Sequence, residues 1–356
     1  MNQILTDIMA VIGVVLNGLP QGLLALTFGF ASIPTALAFF VGAIGNTVTQ
    51  SVAPISFQAE TITYAGTAGK NRSECCTMVF FGALLMTIIG CCGMLTKIVD
   101  FIGADIANGM MAGVGIMLAS TAIDMAKKEK VAGGVSLAVA LITYVLTSQS
   151  SNTLVYTILA SVVASCVVTM IYGKISKKEQ EAIVVVDDKF KRQKFTINSR
   201  VIMGALGMVC LNIGSNISFG AITASMAPNA NFNVDNLTVI SSVADMASSF
   251  FGGAPVESII SATAAAPHAV WCGVAMMLVI GVLLLAGILP KISKFVPPAS
   301  IAGFLFVLGV FKTVALDAPA ALATAPAVGG ITMVATAITN PFIGMIAGLI
   351  AKFIGL

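Results

Sequence analysis

Charge is scarce in this sequence of 356 residues. Lys, Arg, Asp and Glu make up only 9% of the chain and apolar residues 58%, whereas about a quarter of the residues in a soluble domain are charged. The mean hydropathy of +1.01 therefore excludes an ordinary water-soluble enzyme and a disordered chain. The 18 basic and 15 acidic residues leave a net charge of +3, which gives no basic surface for nucleic acid.

Residues that build cofactor, metal and catalytic sites are also few. His268 is the only histidine, and the seven cysteines stand in apolar runs without a C-x-x-C spacing. No phosphate-binding or dinucleotide-binding glycine motif occurs. The sequence therefore predicts no cofactor, no metal and no enzymatic activity, because a membrane enzyme needs several reactive side chains at one depth.

Long apolar runs, by contrast, are abundant. A membrane span needs about 20 apolar residues, and a helix satisfies its backbone hydrogen bonds internally. The runs cover residues 8–26, 28–45, 74–95, 104–121, 131–148, 151–173, 201–226, 236–251, 269–289, 297–315, 320–337 and 340–356. With two more polar windows at 46–66 and 252–268, they predict an all-α polytopic protein of the plasma membrane with about 14 transmembrane segments.

The charged residues concentrate between two similar halves. Residues 174–200 hold 12 of the 33 charged residues, which predicts a first repeat at 1–173, a charged linker at 174–200 and a second repeat at 201–356. Seven spans in each repeat, an odd number, would place the second repeat inverted in the membrane.

Two sets of residues carry the repeat. Ala53-Pro54-Ile55-Ser56 resembles Ala254-Pro255-Val256-Glu257 at an offset of 201, and Lys97, Ile98, Phe101, Gly109 and Gly115 match Lys291, Ile292, Phe295, Gly303 and Gly309 at an offset of 194. Inverted repeats are typical of secondary transporters, which bind substrate near the midplane between discontinuous helices.

Pro54 and Pro255 are predicted to begin two such half-helices. Proline has no N–H to lose, and its φ suits the first turn of a helix. A helix that begins at this depth offers free N–H groups and a partial positive charge. The alternative is a proline kink in a continuous helix.

Three acidic residues lie in or beside the two polar windows. A carboxylate at the centre of a span costs about 3 kcal/mol, so it usually faces a cavity or is protonated. Glu60, Glu257 and Asp245 are therefore candidates for proton coupling. Structural roles remain as alternatives: a backbone cap for Glu257, a helix interface for Glu60 and a supporting position for Asp245. The predicted substrate-binding residues are Glu257, Ser56, Gln58, Ser258 and Ser261.

The second half resembles a family of nucleobase carriers. The resembling segments are VADMASSFFGG (243–253), PVES (255–258), VPPASIAGFLFVLGV (296–310) and ITNPFIGMIAGLI (338–350). They are similar to the xanthine/uracil permeases (nucleobase–cation symporters), closest to the guanine/hypoxanthine branch. The resemblance implies symport of a purine-type base with a proton, and Glu257 matches the family's substrate-binding acid. Gln58 and Ala59 are similar to its Asn-Ala step, whereas residues 214–227 lack the acidic contact of its eighth span.

A rival resemblance lies within the same fold superfamily. DIMAVIGVVLNGLPQGLLA (7–25), FIGADIANGMMAGVGI (101–116) and SSFFGGAPVESIISATA (248–264) are similar to sulfate permease (SulP) anion transporters, although Ala262 replaces a common Arg. This resemblance implies transport of an inorganic or carboxylate anion. Both families imply a homodimer, with a core of spans 1–4 and 8–11 that moves against a gate of spans 5–7 and 12–14. A membrane protein without transport activity is the third alternative.

The distribution of basic residues predicts the orientation. With 14 spans, fifteen Lys and Arg residues fall on one face, against Lys97, Lys312 and Lys352 on the other. The positive-inside rule places the fifteen in the cytoplasm and both termini outside. Both resembling families have cytoplasmic termini. The protein is therefore inverted relative to them, or the true number of spans before residue 174 differs by one.

Overall fold

The computed structural model describes residues 3–150, 153–176, 183, 185–186, 190–227 and 232–356. The described helices are α1 (Gln3–Thr27), α2 (Ser32–Thr49), α3 (Ala59–Ala68), α4 (Arg72–Cys91), α5 (Leu95–Ile102), α6 (Ala104–Lys128), α7 (Lys130–Leu146), α8 (Thr153–Ser176), α9 (Ser199–Ser225), α10 (Val234–Phe250), α11 (Ala269–Leu285), α12 (Ile288–Ser293), α13 (Ala302–Val307), α14 (Ala315–Ala321), α15 (Pro326–Ile338) and α16 (Pro341–Phe353). Two short strands, β1 (Ile55–Ser56) and β2 (Glu257–Ser258), pair with each other. The shorter turns are 3₁₀ at Ala262–Ala265 and Pro298–Ile301, and a π-helical segment, Leu308–Val314, joins α13 to α14.

The helices confirm the predicted polytopic membrane fold. Within the described residues, seven helices are long and apolar enough to cross a bilayer, and the seventh of these runs from Pro298 through the π-helical segment to Ala321. The shorter α7, α11, α15 and α16 are also apolar. Together with α10 and the two discontinuous crossings that contain β1 and β2, these elements give the predicted fourteen segments.

Contacts between loops show which helix ends lie on the same face of the membrane domain. On the face that carries the linker, Ala31 pairs with Gly253, and Arg72 donates to the Gly252 carbonyl at 2.8 Å. On the face where the chain begins and ends, the His268 ring contacts the Asp7 carboxylate at 2.8 Å. We call these the linker face and the terminal face.

The second repeat is inverted relative to the first. The equivalent short helices α5 and α12 lie on opposite faces, α5 on the terminal face and α12 on the linker face. The equivalent glycines Gly115 and Gly309 meet on the pseudo-twofold axis, where a Cβ on Gly309 would stand 2.6 Å from the Gly115 carbonyl oxygen. Since neither residue has a side chain, α6 and the π-helical segment touch backbone to backbone.

The helices pack as two bundles. In the core bundle, α4 and α10 pack together, as do α2 and α11, and α4 and α9. In the gate bundle, α6 packs on α13 to α16, and α7 packs on α8. Between the bundles, α3 and α9 face α6, and α9 also contacts α16. The discontinuous crossings belong to the core bundle and lie beside this boundary.

Part of the predicted charged linker is described. Residues 177–182, 184 and 187–189 lie outside the described residues. The extended part that follows is fixed on the linker face of the core bundle, because the Gln193 N–H donates to the Phe250 carbonyl at 2.9 Å. Phe195 also packs on Phe80, with ring centroids 4.6 Å apart.

Candidate functional site

The two discontinuous crossings meet at an antiparallel strand pair. Ser56 is paired with Glu257, and Ile55 with Ser258. Ser56 and Glu257 are also equivalent positions of the repeat, so the pseudo-twofold axis passes between them. The prediction that Pro54 and Pro255 begin half-helices is wrong: Pro54 directly precedes β1, and Pro255 stands two residues before β2. Proline suits this position because it gives up no ladder hydrogen bond at the start of a strand.

Side chains from the preceding helices hold the chain where it enters the strands. Asn46 on α2 donates to the Ala53 carbonyl at 2.9 Å, and Ser248 on α10 donates to the Ala254 carbonyl at 2.7 Å. Ala53 and Ala254 are equivalent positions, each directly before its proline. Buried carbonyls need such partners, so each repeat provides one at the same place with a different residue.

The two crossings differ after the strands. In the first repeat, α3 begins at Ala59, whose N–H donates to the Gln21 side chain at 2.9 Å. In the second repeat, only the four-residue 3₁₀ turn Ala262–Ala265 follows. Ser261 supports this turn: its hydroxyl contacts Thr263 at 2.6 Å, and its N–H donates to Thr223. An α-helix follows the strand only in the first repeat, and its first N–H is already bonded to Gln21.

A cluster of buried polar side chains surrounds Glu257. Asn212 on α9 and Ser241 and Asp245 on α10 lie beside its carboxylate, and Ser56 faces it across the strand pair. Asn216 joins the group because its amide donates to Ser241 at 3.2 Å. All six side chains are at most 1% exposed. We call these residues the central cluster; its members are Ser56, Asn212, Asn216, Ser241, Asp245 and Glu257.

Many polar atoms of the central cluster have no hydrogen-bond partner. The unpartnered acceptors are both carboxylate oxygens of Glu257, one of Asp245, and the amide oxygens of Asn212 and Asn216. The unpartnered donors are the Ser56 hydroxyl and the Asn212 amide nitrogen. A buried polar group without a partner costs about 1–3 kcal/mol, so a ligand that supplies both donors and acceptors would stabilise the central cluster.

The two carboxylate oxygens of Asp245 have different environments. One of its carboxylate oxygens accepts the Val256 N–H at 2.6 Å, which fixes the strand residue beside Glu257. Its other oxygen has no partner. Glu257 itself accepts no backbone hydrogen bond, so the alternative of a backbone cap does not describe it. No Lys or Arg of the described residues forms an ion pair with either acid.

The structure brings together only part of the predicted site. Ser56, Asp245 and Glu257 meet in the central cluster, whereas the Ser258 side chain lies with Ile55 on the opposite face of the strand pair. Gln58 lies at the edge, where its amide reaches the Ser258 carbonyl at 3.4 Å. Glu60 points away from the cluster towards Thr313 in the gate bundle.

Sequence reasoning missed the contribution of α9. Asn212 and Asn216 are four residues apart in an apolar helix and therefore lie on one face. This spacing of two amides in an apolar helix is the signal in the sequence that indicates their role. Ser241 gave no signal of its own, since serine packs in membrane helices for many reasons.

Comparisons with known proteins identify the fold. No protein-family model and no curated protein sequence matches the chain. Among solved structures, the transmembrane domain of the cyanobacterial bicarbonate transporter BicA matches with a TM-score of 0.67 and 14% identity over 98% of both chains. SLC26A9 matches with a TM-score of 0.73 and 11% identity over 99% of this chain and 65% of that one. The murine Slc26a9 anion transporter in the inward-facing state gives 0.70 and 13% over 99% and 68%.

These matches show a fold shared with SLC26/SulP transporter domains. They support the SulP resemblance rather than the resemblance to xanthine/uracil permeases. The chain spans about two thirds of the length of the SLC26A9 chains and nearly all of the BicA domain.

Proposed function

We propose that this protein is a secondary transporter that carries a small anion, inorganic or carboxylate, through the central cluster together with a cation. The observation that carries the proposal is the match over 98% of both chains with the transmembrane domain of a bicarbonate transporter. The same match favours transport activity over the alternative of a membrane protein without transport activity. In this proposal the protein works in the plasma membrane, and it forms the homodimer that the family resemblance implies.

The chemistry of the central cluster supports an anion and a cation together. The Ser56 hydroxyl and the Asn212 amide nitrogen can donate to the oxygens of a small anion. The carboxylate oxygens of Asp245 and Glu257 are acceptors only, so they can bind a cation, a proton or a hydrogen-bond donor of the solute, and the described residues provide no Lys or Arg for them. An anion alone would be repelled by these carboxylates. A bound cation, or protons on the acids, removes that repulsion and couples the two solutes.

A purine-type nucleobase is the second candidate substrate. Its ring N–H groups would donate to the unpartnered oxygens of Glu257, and its carbonyl would accept from Ser56 or Asn212. Coupling to a proton follows from the same carboxylates. This candidate keeps the site chemistry but lacks the support of the compared structures.

Counterflow in proteoliposomes tests the proposal. Vesicles loaded with unlabelled bicarbonate, sulfate, a short carboxylate or hypoxanthine should take up the matching labelled compound only if the protein carries it. We expect exchange with at least one anion and none with hypoxanthine. Exchange with hypoxanthine alone would favour the second candidate, and no exchange with any compound would contradict transport of either class.

A further inference from the structure

We infer that Glu60 and Asp317 form a second site, separate from the central cluster, that binds a proton or a sodium ion across the boundary between the core and gate bundles. The inference rests on the proposed transport function and deepens it by naming how a cation gradient drives the carrier.

Glu60 reaches from the core bundle into the gate bundle. It lies in the first turn of α3 and is 4% exposed. Its carboxylate accepts a hydrogen bond from the Thr313 hydroxyl at 3.4 Å, over a sequence separation of 253 residues. Thr313 lies within the π-helical segment, and its hydroxyl proton is shared between Glu60 and the Leu308 carbonyl, which is 3.2 Å away. Such turns within helices occur frequently at functional sites.

A second carboxylate faces Glu60 from the same gate helix. Asp317 follows Thr313 by four residues, in the first turn of α14, so helical spacing places it on the same side of the gate element as the threonine that contacts Glu60. Thr63 adds an oxygen from the core side. It stands one turn after Glu60 on the same face of α3, is 2% exposed, and its hydroxyl has no partner. Glu60 and Thr313 are thus in contact, and helical spacing places Thr63 and Asp317 one turn away on the same sides of their helices.

No basic residue balances the two acids. The other charged or cysteine side chains on the elements packed against α3 are Asp7 on α1, Arg72, Glu74, Cys75, Cys76 and Cys91 on α4, Asp105, Asp124, Lys127 and Lys128 on α6, Arg200 and Cys210 on α9, and Lys312 in the π-helical segment. None of them forms an ion pair with Glu60 or Asp317 within the described part of the chain. Two like charges at a buried boundary repel each other unless a proton or cation lies between them.

The position of the site explains coupling. Glu60 and Thr63 belong to the core bundle, and Thr313 and Asp317 to the gate bundle, so any sliding of one bundle against the other changes the distances within the site. A cation that bridges the bundles binds one arrangement better than the other and shifts the equilibrium towards it. α3 also carries Gln58 at its N-terminal cap, beside β1 and the central cluster, so both sites share one rigid element.

Thermal unfolding of the purified protein in detergent tests binding without any transport substrate. The probes are sodium chloride against choline chloride at equal ionic strength, and acidic against neutral buffer. The variants are Glu60→Gln and Asp317→Asn, with Asp124→Asn as the control, since Asp124 has a 65% exposed side chain paired with Lys127. Glutamine keeps an oxygen for the Thr313 hydroxyl, so Glu60→Gln preserves the fold.

We expect sodium or acid to raise the unfolding temperature of the wild type and of Asp124→Asn, and to raise it less in the two boundary variants, in which only the central cluster still offers carboxylates to the cation. A response to sodium identifies the ion as sodium, and a response to acid alone identifies it as a proton. Equal responses in all four proteins, or no response in the wild type to either probe, would overturn the inference.

Transport separates this inference from the proposed function. In proteoliposomes, accumulation driven by the cation gradient should fall by about tenfold or more in both boundary variants, a usual size for coupling between sites, while exchange at equal cation concentration falls less. Undiminished accumulation in Glu60→Gln and Asp317→Asn would contradict the boundary site. A wild type that exchanges nothing would contradict the proposed function alone, because the unfolding experiment does not depend on it.

Discussion

Replacing Glu257 by glutamine removes one negative charge from the central cluster and changes little else. The side chain is fully buried, and both of its carboxylate oxygens lack a partner. Glutamine has nearly the same volume and keeps one acceptor oxygen. If the two acids hold the coupling cation beside the anion, Glu257→Gln should weaken cation binding while the strand pair of Ser56 and Glu257 stays intact, because its bonds are made by the backbone.

The structure sets the expected size of this effect. Truncating one partner of a buried charge pair costs about 2–5 kcal/mol, and about 1.4 kcal/mol corresponds to a factor of ten in affinity. Asp245 remains beside the cation with its own unpartnered oxygen, which favours the lower end of the range. We therefore expect the half-saturating cation concentration to rise by about 30-fold.

The assay is initial uptake into proteoliposomes at a fixed concentration of the anion that exchanges in the counterflow panel, with the cation titrated. Glu257→Asp, which keeps the charge, should fall between Glu257→Gln and the wild type, and Asp124→Asn should match the wild type. An unchanged half-saturating cation concentration in a well-folded Glu257→Gln protein would refute the cation role. Faster anion uptake than in the wild type would show that the carboxylate only repels the anion.

Three further predictions concern packing, access and orientation. Gly309→Ala places a methyl carbon 2.6 Å from the Gly115 carbonyl oxygen and should destabilise the protein by about 1–3 kcal/mol. Its control is Gly134→Ala, whose methyl group meets no atom within 4 Å and which should stabilise the protein by up to about 1 kcal/mol through helix propensity. Equal unfolding temperatures of the two variants in detergent would contradict the backbone contact of the two repeats. In a background without the native cysteines, Ser56→Cys should be protected by substrate from a polar thiol reagent and Ser258→Cys should not, since the two side chains lie on opposite faces of the strand pair; equal protection would place the substrate elsewhere. Seven spans precede the charged linker, so the basic residues still predict external termini. A C-terminal reporter that is active only in the cytoplasm should therefore show no activity. Reporter activity would show the opposite orientation.

Glu60 and Glu257 have the same chemistry but occupy different environments in the fold. Both are acids that follow a proline in equivalent windows, so the sequence presents them as one kind of candidate. In the structure, Glu257 belongs to a strand and faces Asn212 and Asp245, whereas Glu60 lies beyond the strand, on a helix turned towards Thr313. The difference depends on where the strand ends and the helix begins, and a few residues of shift rotate a side chain to another face.

The sequence by itself determined the membrane fold, the number of crossings and the presence of a repeat. These properties follow from composition within windows of about 20 residues, so they need no knowledge of which segments touch. The repeat could be predicted because equivalent positions of the two halves hold the same residue types, as at Pro54 and Pro255 and at Gly115 and Gly309.

Only the tertiary structure decided which residues form each site. The pairing of Ser56 with Glu257 joins positions 201 residues apart, and the contact of Glu60 with Thr313 joins positions 253 residues apart. The sequence of a membrane helix shows that the helix is apolar but not which helices it contacts. Lipid tails and apolar side chains are similar surroundings, and close packing selects the partners. For this reason Asn212, Thr313 and Asp317 became functional candidates only when the two inverted halves were seen packed against each other.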